Sequence, residues 1–178
     1  GDLVIRPSAL VACDVTAEQV PSLIDEVPVL AVLASRARGQ SVFRGVAELR
    51  VKESNRLELI AENLRSVGAT AEASAGMLGV EGTDRPPVGR VETARDHRLA
   101  MAFAVLGTVP GARIRLSETA SVAVSYPSFF DDLRRVDQHL CNPFHFTGHG
   151  AQSDVSGDAK AEDFGIDQNR ISPDSARI

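Results

Sequence analysis

The stretch Arg50-Val51-Lys52-Glu53-Ser54-Asn55-Arg56 crowds three cations and a carboxylate into the opening of an amphipathic pattern, and Asp96-His97-Arg98 opens a second. At a helix start, free backbone N–H groups and the positive end of the dipole already favour negative charge. Two such starts carrying cations suit a small, multiply charged anion such as a phosphate or a carboxylate. Lys52 and Arg56 are spaced to share one helix face, Glu53 projects away from Lys52, and Arg50 and Glu48 lie just upstream. Spacing alone leaves a plainer reading open, a solvated charged face with Glu53 favouring the dipole.

For Asp96-His97-Arg98 the plain reading is a cap followed by exposed polar residues. The change to an apolar helix immediately after Arg98 instead places His97 and Arg98 at the mouth of a buried element, where a His can bind an anion or move a proton. Asp25-Glu26 interrupts the apolar run Leu23-Ile24-Asp25-Glu26-Val27-Pro28-Val29-Leu30. Acids near a helix start are ordinarily caps or solvated, but desolvation opposed by nearby cations is also the balance a general base uses. His139, Cys141, His145 and His149 do not predict a metal site, because Pro143 and Gly148 break any helix that would align them and no paired C-x-x-C motif is present.

The elements that position these residues follow from periodicity. Leu3–Arg6 and Leu10–Ala12 read as short strands around Pro7 and Ser8. From Thr16, Val20, Leu23, Ile24, Val27, Leu30, Ala31 and Ala34 recur at helical spacing, with Pro28 in the first turn of the main helix and Gly39 as its stop. Ser41–Gly45 is a strand, and Leu57, Ile60, Ala61, Leu64 and Val67 form a helix face capped at Gly68. Ala69–Ser74 and Met77–Glu81 form a hairpin about Ala75-Gly76. Gly82–Arg95, with Pro86-Pro87 and Gly89, is a loop. Asp96 caps an apolar helix over Leu99–Leu106, Ala112–Leu116 is a strand, and Ser121–Arg135 is a turn and closing helix with Phe129, Phe130 and Leu133 inward. This order predicts an α/β unit of roughly 70 residues that occurs more than once. Beyond Val136 aliphatic residues thin out, so 137–178 is expected to be a disordered polar tail.

The 178 residues suffice for a core, and 24 acidic against 19 basic side chains exclude general attraction to nucleic acid or an anionic membrane. Any anion site must therefore be local. Cys13 and Cys141 alone give no disulfide framework and suit a reducing cytoplasm. No apolar run spans a bilayer, the start does not resemble a signal peptide, and Gly1 in place of Met suggests a processed, recombinant or fragmentary chain.

Four blocks together resemble the 5-enolpyruvylshikimate-3-phosphate synthase (3-phosphoshikimate 1-carboxyvinyltransferase) family, in its C-terminal part. They are Leu23-Ile24-Asp25-Glu26-Val27-Pro28, Arg50 to Arg56, Asp96 to Ala102, and Ser125-Tyr126-Pro127-Ser128-Phe129-Phe130, in the family's order and spacing. The resemblance covers roughly residues 1–136. It implies an α/β (α+β) fold of repeated βαβαββ units, about two of the three units of one domain, with the N-terminal half and its phosphate-gripping cations absent. It implies no cofactor and no metal. It also implies transfer of the enolpyruvyl group of phosphoenolpyruvate to the 5-hydroxyl of shikimate 3-phosphate, with glyphosate competing for the phosphoenolpyruvate position.

By the resemblance, Asp25 accepts the hydroxyl proton, Lys52 lies near the phosphate ester and reacting hydroxyl, and Glu53 assists proton transfer at the methylene carbon. Arg56, His97 and Arg98 hold phosphoenolpyruvate, and Glu48 and Asp25 line the substrate site. Asn55 replaces the family's usual Asp, and Val124 stands where some members carry a phosphoenolpyruvate-binding Lys. A related UDP-N-acetylglucosamine enolpyruvyl transferase shares the architecture but not this pairing of blocks. A helix dipole contributes about 0.3–1 kcal/mol per anion contact, against about 8 kcal/mol for micromolar binding. The chain alone is thus expected to bind poorly and not to turn over, and a noncatalytic anion-binding or interaction module is the competing reading.

Overall fold

A computed structural model describes residues 4, 6 and 8–139. The first unit runs β1 (Asp14–Val15), α1 (Val27–Ala34), β2 (Gln40–Arg44), α2 (Arg56–Ser66), β3 (Thr70–Ser74) and β4 (Met77–Glu81). Its sheet has the order β1-β2-β4-β3, with β1 parallel to β2 and the other pairs antiparallel. Period-two alternation turns Ser41, Phe43, Leu78 and Val80 inward from β2 and β4, and the helices cover that face. Val27, Leu57, Ile60, Leu64, Leu99 and Phe103 are fully buried in the same core, each stabilising it by about 1.5–3 kcal/mol.

A second, shorter run follows: β5 (Val88–Val91), α3 (His97–Leu106), β6 (Arg113–Leu116), α4 (Val122–Ser125) and α5 (Phe129–His139). β5 and β6 pair in parallel and α3 packs on α1. The described residues thus hold one full βαβαββ unit and the βαβα portion of another, the repeat that the periodicity predicted.

The structure corrects several boundaries. The helical pattern from Thr16 is broken before the main helix, as the expected place of Pro28 in the first turn requires, because its ring would clash with the carbonyl one turn back in a longer helix. Val20–Ser22 is instead a 3-10 turn, and α1 begins only at Val27 with Pro28 in its first turn. Its end is capped at Ser35, not Gly39. Gly39, at φ +96°, opens β2 and carries a one-residue slip in register, since Val11 bridges Arg38 whereas Asp14 pairs with Val42. That slip leaves Leu10–Ala12 with a lone bridge, and the strand forms at Asp14–Val15. The other run, Leu3–Arg6, lies largely outside the described residues. α5 continues past the boundary expected at Val136 to His139, supported by Arg134–Asp131 and Arg135–Asp132 pairs one turn apart. Residues 140–178 of the expected tail, with Cys141, His145 and His149, lie outside the described residues.

The expected loop over Gly82–Arg95 contains β5. Val88 N–H donates to Val67 O, the Ser66 hydroxyl donates to Arg90 O, and Asn63 exchanges two 2.8 Å hydrogen bonds with the Glu92 backbone. β5 is thereby pressed against the end of α2. A Cβ on Gly89 would stand 2.0 Å from Ser66 O, so the glycine that disguised the strand is what lets it approach. Gly89→Ala should cost about 1–3 kcal/mol. Urea denaturation checks this, and an unchanged midpoint would refute the close approach.

Candidate functional site

The start of α2 differs from its expected form. A 3-10 turn over Ala47–Val51 ends at Lys52, whose ψ of −156° is extended, and Asn55 is the N-cap, accepting from Glu58 N–H at 3.5 Å. Ser and Asn favour such capping positions over helix interiors, so α2 begins at Arg56. Lys52 and Arg56 therefore do not share a helix face. They meet through carboxylates instead.

Lys52 Nζ lies 2.7 Å from Glu48 Oε1 and 3.8 Å from Asp25 Oδ1. The hydrogen bond to Glu48 holds the ammonium above its ordinary pKa, so it stays charged. Arg50, by contrast, turns to Glu58 at 2.6 Å and to Ser74 O. Arg56 is fully buried: Nε donates to Asp96 Oδ2 at 2.8 Å, Nη2 to Asp96 Oδ1 and to Glu53, and Nη1 to Asp25 Oδ1 at 3.3 Å. In this conformation the Arg56 guanidinium is committed to carboxylates and out of solvent.

Arg98 closes the cluster from α3. Its Nη1 donates to Asp25 O at 3.0 Å and lies 3.6 Å from Glu26 Oε1, while Nη2 is 3.7 Å from Asp25 Oδ2. Asp25, in the turn before α1, is thus faced by Lys52, Arg56 and Arg98 while its side chain stays 42% exposed. His97, in the first turn of α3, is half-buried, and its imidazole has no hydrogen-bond partner among the described residues. A cavity of about 230 Å³ opens beside Asp25 and Arg98, walled by Val29, Met101, Val105 and Phe129. Val124 points into solvent from α4.

Asp96 was legible only as a cap. It does cap α3, accepting from Arg98 N–H at 3.0 Å and Leu99 N–H at 3.4 Å, but its buried carboxylate also takes the Ser54 hydroxyl at 3.0 Å and the Nε and Nη2 donors of Arg56. Burial would raise its pKa. The Arg56 hydrogen bonds and charge, with Ser54 and the Arg98 N–H, outweigh that and hold it below the usual carboxylate range. A depressed folded value gives stability that is complete above the unfolded value of about 3.9 and is lost as pH falls through the lower folded one. The melting temperature should accordingly fall steeply below about pH 4, and Asp96→Asn should flatten that limb. An equally steep limb in the variant would assign it elsewhere, Glu92 and Asp132 being lowered too.

The site has a carboxylate, Asp25, that can accept a proton in a field of cations, and partly exposed cations, Lys52 and Arg98, that can meet an anion. Its charge balance is unfavourable for anions: Lys52, Arg56 and Arg98 face Asp25, Glu26, Glu48, Glu53 and Asp96. Further cations must come from elsewhere for a doubly charged ligand to bind.

Comparison with known proteins agrees with the four blocks. The family profile described as EPSP synthase (3-phosphoshikimate 1-carboxyvinyltransferase) matches residues 1–133. The 3-phosphoshikimate 1-carboxyvinyltransferase of Aquifex aeolicus is 45% identical over 137 residues, covering 76% of this chain and 32% of the relative. That of Gloeobacter violaceus is 44% identical over 138 residues, with 78% and 32% covered. A solved EPSP synthase from Acinetobacter baumannii superposes with a TM-score of 0.68 at 35% identity, covering 71% of this chain and 30% of that one. The chain spans about a third of the length of the curated relatives it matches.

Proposed function

Because this chain belongs to the EPSP synthase (3-phosphoshikimate 1-carboxyvinyltransferase) family, we propose that it supplies part of a site that transfers the enolpyruvyl group of phosphoenolpyruvate to the 5-hydroxyl of shikimate 3-phosphate, releasing phosphate, a step of aromatic amino acid biosynthesis. The observation that carries this reading is the convergence on Asp25 of Lys52, Arg56 and Arg98, four residues that come from three of the four sequence blocks. Asp25 takes the hydroxyl proton as oxygen attacks the enol carbon. Glu53 handles the proton gained and then lost at the methylene carbon, and Lys52 steadies the hydroxyl and the phosphate ester beside Glu48. Arg98 and His97 receive phosphoenolpyruvate. Arg56 reaches it only by releasing Glu53 or Asp25, and otherwise acts from behind by holding both carboxylates.

The excess of carboxylates over cations supports an incomplete site. The complementary part of the enzyme, supplied as a separate or continuous chain, brings the remaining cations, and a reducing cytoplasm suits the exposed free thiol of Cys13. Phosphate release from the two substrates should be absent with this chain alone and appear when it is mixed with the complementary portion of the Aquifex aeolicus relative. No release from the mixture, with both parts folded, would favour a noncatalytic binding module.

A further inference from the structure

We propose that Asp96 is a positioning residue that joins the two halves of this cation cluster, fixing Arg56 between Asp25 and Glu53 while it sets the start of α3 that presents His97 and Arg98. The transferase role of this arrangement rests on the function proposed above; the arrangement itself rests on geometry. Arg56 and Asp96 lie on different elements, and a single buried carboxylate has one oxygen on Arg56 Nε and Ser54 and the other on Arg56 Nη2 and the N–H groups of Arg98 and Leu99. A shift of either helix start would break bonds to the other.

The backbone leading into Asp96 supports this independently. Ala94 and Arg95 take φ of +49° and +59°, the left-handed region that disfavours side chains other than glycine, at a cost on the order of 1 kcal/mol each. The surrounding loop sustains them. Glu92 Oε1 accepts from Ala94 N–H at 2.9 Å and from the Ser117 hydroxyl at 2.8 Å, Ser117 Oγ accepts from Thr93 N–H at 3.0 Å, and Asp96 N–H closes on Thr93 O at 2.8 Å. A capping residue alone needs no such approach. The strained turn sends the Asp96 side chain down to the buried guanidinium.

Asparagine separates the two roles, since it caps a helix about as well as aspartate but cannot neutralise Arg56. In the chain as it stands, the Arg56 Nε proton should exchange slowly with solvent, and exchange at the rate of a free guanidinium in the unsubstituted chain would overturn the proposal without any variant. Asp96→Asn should speed that exchange about tenfold or more, with the amide protection of Arg98 and Leu99 kept. Unchanged Nε exchange would reduce Asp96 to a cap. In the active mixture the same substitution should lower phosphate release about tenfold, and release unchanged there would overturn the functional half. A mixture inactive even without substitution would refute the transferase reading, while the exchange measurement would still decide the positioning role.

Discussion

Asp25→Ala should lower phosphate release by the complemented enzyme about 10³- to 10⁴-fold, the upper range for loss of a general base, while leaving the fold intact. The second half of that expectation comes from the pairing pattern. Each of the three cations that face Asp25 keeps another carboxylate when it is removed: Lys52 retains Glu48, Arg98 retains Glu26, and Arg56 retains Asp96 and Glu53. No charge is stranded. The stability cost should stay below about 1 kcal/mol, as for a partly exposed ion pair. Asp25→Asn, which preserves shape and removes the proton acceptor, should lose nearly as much activity. Glu53→Ala should cost about 10²-fold or more, again with little change in melting, because Arg56 stays paired to Asp96. The reading fails if either variant, checked by thermal melting, stays within tenfold of the unsubstituted rate. It fails in another way if Asp25→Ala unfolds the chain, because the carboxylate would then be structural.

How much of this was legible in the sequence depended on the range of the interaction. Elements set by local period and caps were readable: Gly68 after α2, the hairpin at Ala75-Gly76, and Asp96 before α3. Where two local signals compete, the pattern misleads. Pro28 marks the first turn of α1 as expected, but Gly39 conceals the helix end at Ser35, and Pro86, Pro87 and Gly89 conceal β5, whose strand state depends on α2 and β6. Among the candidate residues, the cations Lys52, Arg56, His97 and Arg98 stand out because such charge is unusual at a helix start, whereas Glu48 and Glu53 take their roles only from the resemblance. Their arrangement is not legible, since Asn55 shifts the start of α2 and separates Lys52 from Arg56. The Arg56–Asp96 bond joins residues 40 apart in the chain, and no periodicity reports a contact made only when α2 and α3 pack. Burial of a guanidinium was equally invisible, because an Arg among Lys, Glu and Asn looks like solvated charge.

That buried pair yields the largest effect on stability. Arg56→Met, similar in length and apolar, should destabilise the chain by about 3–5 kcal/mol at neutral pH, because it leaves Asp96 without its counter-ion in a site with no solvent exposure. Loss of packing alone would give a smaller effect with no pH dependence. The distinction lies in the sign of the pH response. In the unsubstituted chain Asp96 is held below its ordinary value, and acid removes the stability it contributes. Without Arg56 the desolvation that burial imposes is no longer outweighed, so the folded carboxyl lies above its unfolded value. The folded state then favours the proton, and the deficit is greatest above that raised value and shrinks as pH falls towards about 4. The melting curves of the two proteins should therefore converge in acid. Arg56→Met with Asp96→Asn should recover part of the loss at neutral pH, since an amide is cheaper than a charge to bury with only Ser54 and two backbone N–H groups as partners. If the single variant loses as much stability at pH 4 as at pH 7, the charge of Asp96 does not depend on Arg56, and the guanidinium serves there as volume.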